Sequence, residues 1–378
     1  MDFGLNGDQA LLAQSARAFL AKESPPALVR RLGDDPVGQS TDLNAKMTKQ
    51  GWTGILVPKA NGGLGLGMLD AAVLLTELGR FLAPCPFLSS AVLATSLLSF
   101  AGSASQKRYW LPRLACGEVL ATVAWLEESD RLDPAGTALR ARRARDRFRL
   151  SGSKLFVLDA HVADVYLVAA RTSAGLGPEG VSLFAIPSDA VGLSVTPLAG
   201  FDTTRRLFEI KFDDVVVERD QRIGREGATW KPLQRMLDVG SVAIAAECQG
   251  GAERALEMAV DFAKIREQFG RPIGSFQAVK HMAADCFAEI EPSRSLLWYA
   301  AHAQQNNNKE ASRAASMAKA RLAEVYARAT NKAVQMHGGI GFTWEHDMHF
   351  WFKRAKANEA LFGSPAFHRE RIAALSGW

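Results

Sequence analysis

REQFGRPIGSFQ, residues 266–277, interrupts one long helical pattern and opens another. Glycine is a poor helix former and proline lacks the backbone donor, so the helix carrying Arg266 is expected to end at Gly270, before Pro272. A new helix is expected to open near Ser275, whose hydroxyl can cap it. Helical spacing extends far on both sides. Upstream it runs from about residue 228 to 266, and downstream from 276 to the polar stretch QQNNNKE at 304–310. Further helical stretches cover 311–337 and about 347–361. Four long helices with short connections predict an antiparallel bundle over residues 225–378.

Towards the N-terminus the texture changes. VYLVAAR (165–171), VSLFAIP (181–187), GLSVTPL (192–198) and LFEIKFDDVVV (207–217) are short, rich in β-branched or aromatic residues, and separated by turn residues. Residues 117–224 are therefore expected to form an antiparallel β domain. The first 116 residues read as helices: Leu12, Ala16, Phe19 and Leu20 share one face, as do Leu74, Leu78, Phe81 and Leu82. The expected fold class is multidomain α+β: an N-terminal helical domain, a middle antiparallel β domain and a C-terminal four-helix bundle.

The 378 residues are 48% hydrophobic and 22% charged, the composition of a soluble globular chain. A net charge of +5 fits an anionic ligand such as a nucleotide or coenzyme A. No basic run interleaved with aromatics, zinc finger or RNP-like pattern points to nucleic acid. Four scattered cysteines with no CxxC pair predict neither disulfides nor a metal site, and suggest a reducing cytoplasm. The N-terminus lacks a signal pattern, and no run of eighteen apolar residues predicts a membrane span.

Two segments carry chemistry. Residues 266–277 gather a guanidinium (Arg266), two amides (Gln268, Gln277) and a ring (Phe269) around one helix break. An arginine fork donates in the planar geometry that a pyrophosphate accepts. A solvated helix corner would have the same residues. QMHGGIGF, residues 335–342, stops a long helix at Gly338 and Gly339. Paired glycines admit a ligand close to the backbone, and they also simply end helices. No strand precedes them, so they are not a dinucleotide fingerprint.

With these segments in hand, the chain resembles the acyl-CoA dehydrogenases over nearly its whole length. NGGLGLGMLD (61–70), YWLPRLACGEV (109–119), FDDVVV (212–217), REQFGRPIGSFQ and QMHGGIGF occur in the family's order. The resemblance implies a tightly held FAD and a tetramer in which the bundle contacts FAD across a subunit interface. It implies that Arg266 meets the FAD pyrophosphate, that Gln268 and Phe269 lie beside the cofactor, and that Gln277 reaches its adenosine end. Gln335, Gly338 and Gly339 would line the adenine–pyrophosphate part of a neighbouring subunit's FAD. Ser364 would stand near the ribityl chain, where the family often has threonine.

Family chemistry needs a carboxylate to remove the α proton of an acyl-CoA while the β hydrogen leaves as hydride. The commonest base position, before a Gly-Thr pair, falls on Phe362. The family's second position, on the first long bundle helix, falls on Gly240. Neither side chain accepts a proton. Glu247, two turns along that helix, is the remaining candidate base, and a glutamate paired with an arginine is its bland reading. Asp238 is expected to cap the helix or face solvent, and Glu359 lies one turn before Phe362. At the places of the family's two flavin-facing threonines stand Leu126 and Leu158, followed and preceded by Glu127 and by Phe156 and Val157. The arginines of RARRARDRFR (140–149) suit either coenzyme A phosphates or a solvated hairpin.

Three readings follow from these residues. The chain is an acyl-CoA dehydrogenase that uses Glu247, or a non-catalytic or half-catalytic subunit of an α2β2 assembly, or, with nothing specific behind it, a related flavin oxidase or monooxygenase. The expected partners are an acyl-CoA, an electron-transfer flavoprotein as acceptor, and either identical chains in a homotetramer or a related chain in an α2β2 heterotetramer. Fatty-acid or steroid side-chain catabolism is the expected setting. Small residues at Gly240, Ala243, Ala245 and Ala246 suggest room for a bulky or branched acyl group.

Overall fold

The computed structural model describes residues 4–378. Its first part is helical: α1 (Gly7–Glu23), α2 (Pro26–Asp34), α3 (Thr41–Lys49) and α4 (Met68–Phe81), then a π-helical segment (Phe87–Ala94) that runs into α5 (Thr95–Ala101), and α6 (Ala104–Ala115). Local capping chemistry starts two of these. Asn6 accepts from the Gln9 amide while Gln9 reaches back to Asn6, and Ser103 and Gln106 do the same for α6. α4 is buried almost all round, because it is built into the last part of the molecule.

That last part consists of α7 (Trp230–Ile265), α8 (Gln277–Gln305), α9 (Ala311–His337), α10 (Met348–Ala360) and α11 (Pro365–Leu375). α7 lies at the centre, against α8, α9 and α4. α4 and α7 touch backbone to backbone where glycines face each other's helix. A Cβ on Gly79 would lie 2.3 Å from the Glu247 carbonyl oxygen, and one on Gly250 would lie 1.8 Å from the Thr76 oxygen. Side chains at either position would push the helices apart.

Between these helical parts lies an eight-stranded sheet: β1 (Ala121–Ala124), β2 (Arg140–Ala144), β3 (Arg147–Leu158), β4 (Val165–Arg171), β5 (Val181–Pro187), β6 (Leu193–Pro197), β7 (Leu207–Glu218) and β8 (Arg222–Ile223). Its order is β6-β7-β3-β2-β4-β5-β8, with β1 also on β4. The sheet is mixed, not purely antiparallel as expected. β1 and β2 both run parallel to β4, while the remaining pairs are antiparallel. The β2–β3 hairpin between β1 and β4 supplies the length of chain that a parallel return requires.

The helix break at 266–277 also differs from expectation. α7 stops at Ile265, and Glu267–Gln268 (β9) pairs with Arg271–Pro272 (β10) as a minimal hairpin. Phe269 and Gly270 turn it with φ of 54° and 76°. Ser275 does not cap α8. It lies in a 3-10 turn, and α8 begins at Gln277 with no side-chain cap. Among the described residues no helix is long and apolar enough to cross a membrane.

Candidate active site

A cavity of about 330 Å³ opens between the sheet and the bundle. Trp125 and Leu126 enter it from the loop after β1, Phe156 and Leu158 from β3, and Phe362 from the turn after α10. The lining is largely apolar. Glu127 fixes the loop behind Leu126, because its carboxylate accepts from the Ala138 and Leu139 amides and from Lys154 Nζ at 2.6 Å. Lys154 is fully buried, and burial lowers its pKa while Glu127 opposes the shift. Glu127 is thus a structural carboxylate.

The two family base positions meet in space. A Cβ on Gly240 would lie 2.7 Å from Phe362 Cε1, so the Phe362 ring rests on the glycine. The ring also stacks on Trp125, with centroids 6.2 Å apart and planes 16° from parallel. Its backbone has φ of 60° and is held from below: His368 Nε2 lies 3.0 Å from the Phe362 carbonyl, and Lys319 Nζ donates to the Gly363 carbonyl at 2.9 Å. Burial pulls Lys319 down to about 8 and His368 down to about 3. The room that Gly240 was expected to leave for an acyl group is therefore filled by Phe362. Ala243, Ala245 and Ala246 lie in the helical core.

Glu247 is elsewhere on α7, in a network of buried charges. Arg205 Nη2 donates to Glu247 Oε2 at 2.6 Å and Arg205 Nη1 to Asn358 Oδ1 at 2.8 Å. Arg354 lies 3.7 Å from the same carboxylate and donates to Asp202 at 2.5 Å and to the Thr204 hydroxyl at 2.6 Å. Burial works against both charges of the Arg354–Asp202 pair, but their attraction wins: Asp202 stays below the usual carboxylate range and Arg354 above its ordinary value. The network ties the β6–β7 loop to α7 and α10. It borders a second, polar cavity of about 30 Å³, which also contains Asp159, whose pKa burial raises. Arg205 and Leu158 line both cavities and so stand between them, with Glu247 on the small-cavity side.

Sequence reading missed Arg205, Arg354 and Asn358. DTTRR (202–206) shows two arginines in a loop, and nothing in the pattern says that one of them is buried. Asp238 neither caps a helix nor faces solvent. It is buried, accepting from Arg371 at 2.5 Å and from Ser312 at 2.6 Å. Glu359 pairs with Lys356 at 3.0 Å. The arginines of 140–149 form an exposed hairpin face, with Arg143 paired to Glu226 and Arg147 to Glu218.

Of the remaining sequence candidates, all but Ser364 lie at one end of the bundle. Arg266, Gln268, Phe269 and Gln277 are exposed around the β9–β10 hairpin, and Phe269 is 92% exposed. Gln335, Gly338 and Gly339 are exposed where α9 ends. Phe262, on the last turn of α7, stacks on His337 at 4.6 Å, which joins the two segments. Ser364 is exposed and caps α11 through the Phe367 amide.

Residues 6–118, 122–215 and 228–376 match, in that order, the models of the acyl-CoA dehydrogenase N-terminal, middle and C-terminal domains. The chain belongs to the acyl-CoA dehydrogenase family. A curated relative, acyl-CoA dehydrogenase IpdE2 of Mycobacterium tuberculosis, is 31% identical over 95% of this chain and 94% of its own length. Butyryl-CoA dehydrogenase of Megasphaera elsdenii superposes with a TM-score of 0.93 at 27% identity, covering all of both chains. A chain of the ChsE4–ChsE5 complex of M. tuberculosis superposes with a TM-score of 0.89 at 28% identity, covering 100% of this chain and 99% of that one. As an acyl-CoA dehydrogenase the protein is an FAD-dependent oxidoreductase acting on CH–CH bonds. Its residues fit that cofactor unevenly. The exposed arginine, amides and paired glycines at the bundle end suit a pyrophosphate and adenosine. The apolar Leu126 and Leu158 offer a flavin ring no side-chain donors.

Proposed function

We propose that this chain is one half of an α2β2 acyl-CoA dehydrogenase that converts an acyl-CoA to its trans-2-enoyl-CoA, with a related partner chain carrying the base. The observation behind this reading is Phe362 resting on Gly240. Both family base positions of this chain are occupied by groups that accept no proton, and an aromatic ring fills the space between them. The partner's carboxylate would take the α proton, and bound FAD would supply the hydride acceptor that the departing β hydrogen needs. Arg266, Gln268, Phe269 and Gln277, with Gln335, Gly338 and Gly339, hold the pyrophosphate and adenosine of an FAD shared across the interface. Ser364 stands by the ribityl chain. The exposure of these residues in the single chain supports that arrangement. An electron-transfer flavoprotein then reoxidises the assembly.

The test is expression alone and together with a related acyl-CoA dehydrogenase chain. The expected result is a colourless chain alone, and a yellow complex that forms enoyl-CoA. A yellow, active single chain overturns the reading.

A second reading has its own support: Glu247 is a buried carboxylate one residue removed from the large cavity, behind Arg205. Here Glu247 is the base, freed when Arg205 turns away. It predicts that the chain alone is active, and that Glu247→Gln lowers kcat by at least about a hundredfold. Unchanged turnover in Glu247→Gln removes it.

A further inference from the structure

Three of the seven histidines, His337, His346 and His349, fall within residues 337–349, and none lines either cavity described above. They bracket the turn Gly338–Phe342 and the loop that leads from it into α10. His337 is the floor of that turn: a Cβ on Gly341 would lie 2.7 Å from His337 Cβ. Its ring touches both Phe262 of α7 and His346, with centroids 4.6 and 4.5 Å away. At the other end His349 lies against Trp344 at 4.7 Å and Phe350 at 4.0 Å.

These contacts suit neutral imidazoles. A neutral ring has one N–H and one lone pair, and protonation makes both nitrogens donors. His337 is 5% exposed, and its Nδ1 donates to the Ala333 carbonyl at 2.7 Å. Its Nε2 is left as a buried acceptor with no partner among the described residues. A proton there would be a buried donor with nothing to receive it. His349 is 3% exposed, and neither of its nitrogens has a partner among the described residues. His346 Nδ1 accepts from the Met348 amide at 3.1 Å, a bond that a proton on Nδ1 would remove.

The surrounding charge also opposes protonation. α2 supplies Arg30, and α10 supplies Lys353, whose Nζ lies 3.9 Å from the centre of the Trp344 ring. Asp347 is the carboxylate that faces the rings, and Arg30 engages it through Nε at 3.1 Å and Nη2 at 2.5 Å. Glu345 turns to Thr343, Asp202 of the β6–β7 loop acts on Lys353, and on α7 Asp261 pairs with Lys264. Burial holds all three histidines below their ordinary value, helped at His346 and His349 by Arg30, and His349 lies at about 4.

We propose that His337, His346 and His349 are positioning residues that, as neutral rings, latch the 338–347 segment in place, and that proton uptake by them in mild acid releases it. The segment carries Gly338 and Gly339, so the latch regulates retention of the FAD tail. That consequence rests on the shared-FAD reading of the proposed function. The sign follows from the open segment, where the histidines return to about 6.5. The latch is closed above 6.5. As the pH falls from 6.5 towards 4, each histidine favours opening by about tenfold per pH unit.

Hydrogen–deuterium exchange of residues 338–347 in the full chain, from pH 7.5 to 4.5 and corrected for the intrinsic pH dependence of exchange, reads the opening. Amides around Gly79 are the reference for opening of the entire chain. Below 6.5 the segment is expected to open by more than tenfold per pH unit relative to that reference, which requires more than one proton. His349→Phe keeps a ring against Trp344, and His337→Asn keeps a donor for Ala333, but neither new side chain takes a proton. Each is expected to lower the slope by about one proton, and either variant alone suffices. A merely structural role changes the level of opening and leaves the slope, and an unchanged slope overturns the inference. In the complex with the partner chain, free-flavin fluorescence reads FAD release over the same range. Retention of FAD to about one pH unit lower in His337→Asn/His349→Phe supports the inference. Coinciding release profiles overturn it and leave the proposed function standing. A complex that takes up no FAD at pH 7.5, whatever the variant, overturns the proposed function and this inference with it.

Discussion

At the residue scale, the contact of Phe362 with Gly240 decides how the site is read. Gly240→Ala forces its Cβ into a ring held by Trp125 and by the turn after α10. The expected loss is about 1–3 kcal/mol in urea unfolding. Phe362→Leu removes the two nearest ring atoms, so the double variant is expected to lose clearly less than the sum of the singles. Arg354 makes a stronger claim. Arg354→Met leaves Asp202 and Glu247 buried with less compensation, at a cost of about 3–5 kcal/mol, and adding Asp202→Leu is expected to recover most of it. Both sets are read by the same denaturation curves. Neither contact was legible beforehand. The sequence places phenylalanine and glycine at two positions where a relative has a carboxylate, but not that the two touch. The alanines, cysteine and glycines around Glu247 say that it is enclosed. Its partner Arg205 lies 42 residues earlier in another part of the fold.

At the scale of elements, periodicity carried the reading. Helical spacing located α7 to α10 because long amphipathic runs are over-determined, and β-branched runs located β4, β5 and β7. The hairpin at Glu267–Pro272 escaped because two-residue strands have no period to detect, and the parallel pairs of β1 and β2 with β4 because pairing is long-range. The contact of α4 on α7 escaped for the same reason. It yields a sharp expectation: Gly250→Ala places a methyl 1.8 Å from a backbone oxygen, which no rotamer relieves. A loss of about 3 kcal/mol or more, or failure to accumulate folded protein, is expected, measured by thermal melting and soluble yield.

At the scale of the whole molecule, buried titrating groups set the pH response. His349 and His368 are held down to about 4 and about 3, chiefly by burial, from an ordinary 6.5. Lys353 and Arg30 face His349 and reinforce its shift, while Asp347 opposes it. Lys319 and Arg371 do the same for His368. Because the unfolded chain takes up protons at a pH where the fold refuses them, the two histidines' contribution to stability is full above 6.5 and falls as the pH drops towards 4 and 3. Lys319, at about 8 against 10.5, adds stability as pH rises from 8 to 10.5. Melting temperatures are therefore expected to fall from pH 7 to 4, with a shallower fall in His368→Gln. A flat profile would contradict the burial argument. The backbone contact between α4 and α7 has a consequence in time. Amides flanking Gly79 and Glu247 are shielded from both sides, so they exchange with deuterated solvent only when the entire chain opens. The 198–206 loop is held mainly by side chains, the Arg205 and Arg354 network and Arg206 on the carbonyls of Gly33 and Asp35, and its amides are expected to exchange well before them. The wall of the cavity is thus expected to open before the helical core does, and a ligand larger than the cavity mouth waits on that opening to enter.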